Sequence, residues 1–139
     1  MKHGKKARRA TPPSLPTSSL SITQEQINRY AQLSNDFNPL HVDVEFAGKS
    51  IFGGTIAHGT IPLACLLHSL AALCGEPWLK GAHVSAKFIA PARPGDVITA
   101  QGKLSGQTAD QDGIRAVYDV SCRNQQGQSI IVGTAEITL

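Results

Sequence analysis

The chain has 139 residues, 41% hydrophobic and 17% charged, which suits one globular domain with a buried core and argues against a two-domain enzyme, a fibre or a wholly disordered chain. The formal charge of +3 is unevenly placed: Lys2, Lys5, Lys6, Arg8 and Arg9 stand in residues 1–20 without an acid, leaving eight bases against ten acids thereafter. The basicity is a tail property, no basic stripe marks the body, and nucleic acid is not an expected partner.

Residues 1–19 read as a basic, Pro- and Ser-rich, disordered leader before a single domain over residues 20–139. The basic start runs into Thr11, Pro12 and Pro13 rather than an apolar stretch, so no secretory signal is visible. Pro12, Pro13 and Pro16 oppose the amphipathic helix of a transit peptide. Cys65, Cys74 and Cys122 are an odd set without Cys-x-x-Cys spacing, and a reducing, cytoplasmic setting is expected.

A short strand is expected near Leu20-Ser21-Ile22. Thr23 and Gln26 then form a capping-box pattern, and Ile27, Tyr30, Ala31 and Ser34 fall on one face of a helix. Pro39 disfavours helical geometry at Asn38, so this helix ends before Asn35. A short helical turn is expected around Asp43 to Ala47.

From Ile51 to Gly75 there is no Asp, Glu, Lys or Arg. Gly53, Gly54, His58, Gly59, Pro62 and His68 interrupt the run, so it is too short for a membrane span and reads as a helix from about Gly59 to Cys74, enclosed by the rest of the protein. Pro62 fits only near its start, and Gly75 closes it. Four strands follow at residues 82–90, 96–105, 114–124 and 129–138, separated by Arg93-Pro94-Gly95-Asp96, Asp110-Gln111-Asp112-Gly113 and Asn124-Gln125-Gln126-Gly127. The alternation of Ile114, Ala116, Tyr118, Val120 and Cys122 with a more polar row marks a half-exposed antiparallel strand. The sum is an α+β domain: a curved antiparallel sheet wrapped around one long helix.

Asp36 and His41 lie five apart across a helix end and a proline-stiffened turn, so a carboxylate and an imidazole can converge on one water as an acid–base unit. On spacing alone, turn formation is the commoner role of an Asp after a helix. The context adds weight: Tyr30, Leu33, Ser34 and Asn35 followed by Asp36-Phe37-Asn38-Pro39-Leu40-His41, and then Ala47, resemble the signature of the MaoC-like or hydratase-2 family, the (R)-specific enoyl-CoA hydratases. Asn35 stands where that signature usually has Gly. The resemblance continues through Gly54-Thr55-Ile56-Ala57-His58-Gly59 and from Lys87 through Pro91 to Val97, and so spans residues 20–139.

The resemblance implies the hot-dog fold and a hydro-lyase that adds water to trans-2-enoyl-CoA. It makes Asp36 and His41 the pair that activates water, and the backbone N–H of Gly59 the donor to the thioester carbonyl, with Asn38 and His58 as substrate-binding or supporting residues. The Gly59 role has independent physics, because free N–H groups and the dipole of a helix N-terminus favour a developing oxyanion. Family members often carry a Ser on the central helix where this chain has Leu67, with His68 and Ser69 beside it.

Several other features are weighed against simpler readings. His58 reads as a structural histidine bonded to a neighbouring loop. A metal site from His41, Asp43 and His58 lacks a recognised ligand spacing, and no metal or other cofactor is expected beyond the coenzyme A of the substrate. Gly53-Gly54 lacks the Lys-Ser/Thr of a phosphate loop and reads as a loop over the site. Pro77 and Trp78 are expected to anchor a loop end. Lys80, Lys87, Arg93, Lys103, Arg115 and Arg123 are candidate contacts for coenzyme A phosphates, none singled out. The expected partners are an acyl-CoA thioester, an acyl carrier protein as a variant carrier, and a second copy of the chain, with no membrane partner. The competing readings are a dehydratase acting on carrier-bound, branched or dicarboxylic acyl substrates and a non-catalytic thioester-binding module.

Overall fold

The computed structural model describes residues 10–75, 81–111 and 113–139. In chain order they form β1 (Ser18–Ser21), α1 (Gln24–Ser34), α2 (Pro39–Val42), α3 (Val44–Gly48), α4 (Thr60–Cys74), β2 (His83–Phe88), β3 (Val97–Asp110), β4 (Gly113–Arg123) and β5 (Ser129–Thr138). The strands make one antiparallel sheet in the order β1-β3-β4-β5-β2, and α4 packs against β1, β3, β4 and β5. The anchoring expected of Pro77 and Trp78, and the cation Lys80, lie outside the described residues, as do the five leader bases and Asp112 of one predicted turn.

The core is where the apolar periods of helix and sheet meet. Ile61, Cys65, Leu66 and Leu70 of α4 are buried against Ile98, Ala100, Tyr118, Val120, Cys122 and Ile131 of the sheet. On β4 the predicted inward row is confirmed, with Ala116, Tyr118, Val120 and Cys122 buried. Burial pushes the Cys122 thiol up to about 12, with Cys65 nearby adding to the effect, so this cysteine is an inert core group. Among the described residues no helix is long and apolar enough to cross a membrane.

The structure corrects five expectations. Residues 10–19 are not a free leader. Leu15 is buried, its N–H donates to the Gly102 carbonyl at 2.9 Å, Leu104 N–H donates to Pro13 at 2.9 Å, and Tyr118 Oη donates to Pro12 at 2.8 Å. A Cβ on Gly102 would fall 2.5 Å from Leu15 Cδ1, so the glycine makes room for this N-terminal segment.

The remaining corrections are local. Pro39 opens an extra turn, α2, because proline suits the first helical position. Strand β3 runs to Asp110 rather than 105, carried past an irregularity between Leu104 and Gly106. Thr23 accepts from the Gln26 N–H at 3.1 Å, but Gln26 Oε1 is buried without a partner among the described residues, so only half of the capping box is evident. Finally, α4 is not fully enclosed, since Ala64, His68 and Ala72 leave one face open.

Candidate active site

Helix α1 ends at Asn35, which adopts a left-handed conformation with φ 57° and ψ 28°. Asparagine is the best non-glycine residue for that geometry, which gives a physical reason for Asn35 standing where the resembled signature has Gly. The reversal throws Asp36 back across the helix end. There the Asp36 N–H donates to Ser34 Oγ at 3.3 Å and Asp36 Oδ1 accepts from the Asn38 N–H at 3.2 Å. Asn38 Oδ1 in turn caps α2 by accepting from the Leu40 N–H at 3.0 Å. One carboxylate oxygen thus fixes the turn, and the other, Oδ2, lies 3.9 Å from His41 Nε2.

The tautomer of His41 follows from its second partner. Nδ1 sits 2.8 Å from the Ile56 carbonyl, an acceptor only, so Nδ1 carries the proton and Nε2 keeps its lone pair toward Asp36 in the neutral ring. His41 is 14% exposed at its side chain and Asp36 52%. At 3.9 Å the pair is too far apart for a direct hydrogen bond. One water can reach both groups.

His58 supports this pair from beneath. It is buried, its Nε2 donates to the Asp36 carbonyl at 3.0 Å, and its ring stacks on His41 with centroids 3.9 Å apart. The hydrogen bond to a neighbouring loop is the one expected of a structural histidine. The cluster with metal-ligand character is Asp36, His41 and His58, not the set containing Asp43, whose carboxylate caps α3 by accepting from Phe46 N–H at 3.0 Å. His58 Nε2 is already committed to the Asp36 carbonyl, while His58 Nδ1, buried and without a partner among the described residues, stays available beside Asp36 Oδ2 and His41 Nε2.

Gly59 precedes α4, and its N–H has no acceptor among the described residues. It shares with His41 a cavity of about 380 Å³, lined also by Phe52, Ile56, Pro62 and Phe88. The loop bearing Gly53 and Gly54 does border this cavity through Phe52, whose carbonyl is held by Arg93 Nη1. Arg93 is therefore a structural tie, and Arg115 pairs with Glu136 at 2.8 Å. Neither neighbour of Leu67 turns toward the pair: His68 Nδ1 is 3.1 Å from Ser18 Oγ, and Ser69 donates to the Pro16 carbonyl.

Two supporting residues were given no site role by the sequence reading. Gln24 donates to the His41 carbonyl at 2.8 Å and accepts from Thr55 Oγ1 at 2.6 Å, lacing the histidine turn to the loop before α4. Tyr30 lies against His58, with ring centroids 4.7 Å apart, and its hydroxyl accepts from Thr60 at 2.6 Å. Tyr30 had a signal, its place in the helical stripe. A Gln in a first helical turn looks like solvent-facing capping and carries none.

The chain is similar to several known proteins. An (R)-specific enoyl-CoA hydratase of Aeromonas caviae is 31% identical over 116 residues, covering 82% of this chain and 84% of that protein. A 3-hydroxyacyl-thioester dehydratase of Mycobacterium tuberculosis is 47% identical over 47 residues, covering 34% of this chain and 31% of that one. The solved (R)-hydratase from A. caviae, described as involved in PHA biosynthesis, superposes with a TM-score of 0.70 at 25% identity, covering 99% of each chain. That likeness identifies the helix-wrapping sheet as the hot-dog fold. Residues 6–124 match the MaoC like domain, and the chain belongs to that family.

Proposed function

We propose that this chain is an (R)-specific enoyl-CoA hydratase, adding water reversibly across a trans-2-enoyl thioester to give the (R)-3-hydroxyacyl thioester. The observation that carries the reading is the placement of Asp36 Oδ2 3.9 Å from His41 Nε2, with His41 in the cavity that Gly59 also lines. Hydration needs those elements: a base for water, a proton for the α-carbon and a donor for the oxyanion.

Asp36 and His41 hold one water between them. As its oxygen bonds to C3 of the substrate, a proton passes to the pair and the C2–C3 π electrons move onto the thioester oxygen. The Gly59 N–H and the positive end of α4 stabilise that enolate. The pair then returns a proton to C2, which completes the addition of one water. The thioester carbonyl serves as the electron sink, so EDTA should leave turnover intact.

Such acid–base assistance is worth about 10² to 10⁴ in rate. Asp36→Ala and His41→Ala should each lose at least that in kcat for crotonyl-CoA, followed by loss of enoyl absorbance. Full activity in both would refute the assignment. The Mycobacterium tuberculosis relative favours a second reading: the same groups running in reverse as a dehydratase of 3-hydroxyacyl thioesters borne on a carrier protein. Comparing crotonyl-CoA with the carrier-bound thioester separates the two.

The working unit in this reading is a homodimer with strands continuing across the interface. It is supported by the position of β2 at the end of the sheet and by the open face of α4 at Ala64, His68 and Ala72. Sedimentation showing only monomer at micromolar concentration would contradict it.

A further inference from the structure

We propose that Phe88 controls the approach to the Gly59 amide and sets the acyl length this site prefers; the inference deepens the thioester reading above and rests on it. Alternation along β2 puts Val84, Ala86 and Phe88 on one face. Val84 and Ala86 are half-buried against the core, and Phe88 continues the row over the start of α4. The strand stops there because the N–H groups of Ile89 and Ala90 converge on one carbonyl, that of Ile130, at 2.9 and 3.4 Å.

The ring lies so near Gly59 that a Cβ on the glycine would be 3.0 Å from Phe88 Cδ1 and Cε1. Gly59 has φ −56° and ψ −29°, a conformation open to any residue. A side chain at this position would crowd the ring, which would have to give by a few tenths of an ångström, whereas the backbone angles set no such limit. Phe88 nevertheless remains 55% exposed, a large apolar group covered on one side only. It lines the same cavity as His41, Phe52 and Pro62, whose volume of about 380 Å³ is at the small end for ligand sites.

A thioester whose carbonyl rests on the Gly59 N–H must lay its acyl chain along this ring. A short chain fits beside it, whereas a longer one has to displace it. Because a single methylene in an apolar pocket shifts selectivity by about 10- to 200-fold, the ring is large enough to decide chain length.

The test compares kcat/KM for crotonyl-CoA and trans-2-octenoyl-CoA in wild type, Phe88→Ala, Phe88→Leu and Phe88→Tyr. The octenoyl-to-crotonyl ratio should rise by about 10-fold or more in Phe88→Ala, rise less in Phe88→Leu, and stay near wild type in Phe88→Tyr. A merely structural role would lower both substrates together, and an unchanged ratio in folded Phe88→Ala and Phe88→Leu overturns the inference. Calorimetric binding of butyryl-CoA and octanoyl-CoA makes the same comparison without turnover. A shifted binding ratio in a protein that hydrates neither substrate keeps the Phe88 assignment and removes the hydratase reading. An unshifted ratio beside normal crotonyl hydration does the reverse.

Discussion

Between Asn35 and Gly59 only Ala47, Thr55, Ala57 and His58 are buried, and the segment is held mainly by short polar ties from Ser34, Asp36, Asn38, Asp43 and Gln24. The body formed by α4 and the sheet is held instead by close-packed apolar side chains such as Leu66, Leu70, Tyr118 and Ile131. The difference separates two kinds of damage. In the body a lost side chain leaves a cavity that surrounding atoms only partly fill. In the segment each tie is worth only about 1 kcal/mol, yet a small displacement of Asp36 or His41 is read directly by the chemistry.

The sharpest way to break that comparison is to alter one residue on each side. His41→Ala should abolish about 10² to 10⁴ of the rate while lowering stability little, since the side chain's polar and ring contacts among the described residues are the Ile56 carbonyl, the His58 ring and the longer pair with Asp36. Leu66→Ala, in a fully buried position, should cost about 2 to 5 kcal/mol by urea denaturation, with the activity of the remaining folded fraction nearly normal. If His41→Ala unfolded the protein, or Leu66→Ala disabled folded enzyme, the two regions would not be separable in this way.

Gln24→Ala sharpens the comparison from inside the segment. It removes the bonds to the His41 carbonyl and Thr55, at a cost of about 1 kcal/mol. Because both bonds aim groups around the cavity, kcat should fall about 10-fold with KM little changed. An equal fall for every substrate, with a thermal midpoint lowered by only a few degrees, would support a positioning role. Unchanged kcat would show that the histidine turn holds itself.

How much of this was legible beforehand follows the same division. The body could be read because its periods are clear: the alternation of Ala116, Tyr118, Val120 and Cys122 admits one buried face, and the charge-free run marks α4 as a core helix, although it hides the open face at Ala64, His68 and Ala72. Asp36, His41 and Gly59 stood out through spacing and resemblance to a family signature. The pinning of Leu15 beneath β3 was hidden, since a lone leucine among prolines has no period, and only its complement, Gly102 in a strand, hinted at it. Gln24 and Phe88 were hidden for a related reason. Their roles come from what tertiary packing sets beside them, the His41 carbonyl and the Gly59 backbone.

The smallest effect expected is at Asn35, and it tests whether backbone geometry alone places the carboxylate. No hydrogen bond of the Asn35 side chain is present among the described residues, so what the position supplies is its φ of 57°. Glycine adopts that angle freely but has more freedom to lose on folding, and the two effects, each about 1 kcal/mol, largely offset. Asn35→Gly should therefore shift stability by less than about 0.5 kcal/mol and leave crotonyl-CoA hydration within about two-fold of wild type. Asn35→Val places a β-branched residue where it is sterically opposed. It should cost about 1 to 2 kcal/mol and, because Asp36 is next in the chain, should lower kcat by more than its stability loss explains. Equal behaviour of the Gly and Val variants would mean that the turn is held by Ser34 and Asn38, and not by the left-handed residue between helix and carboxylate.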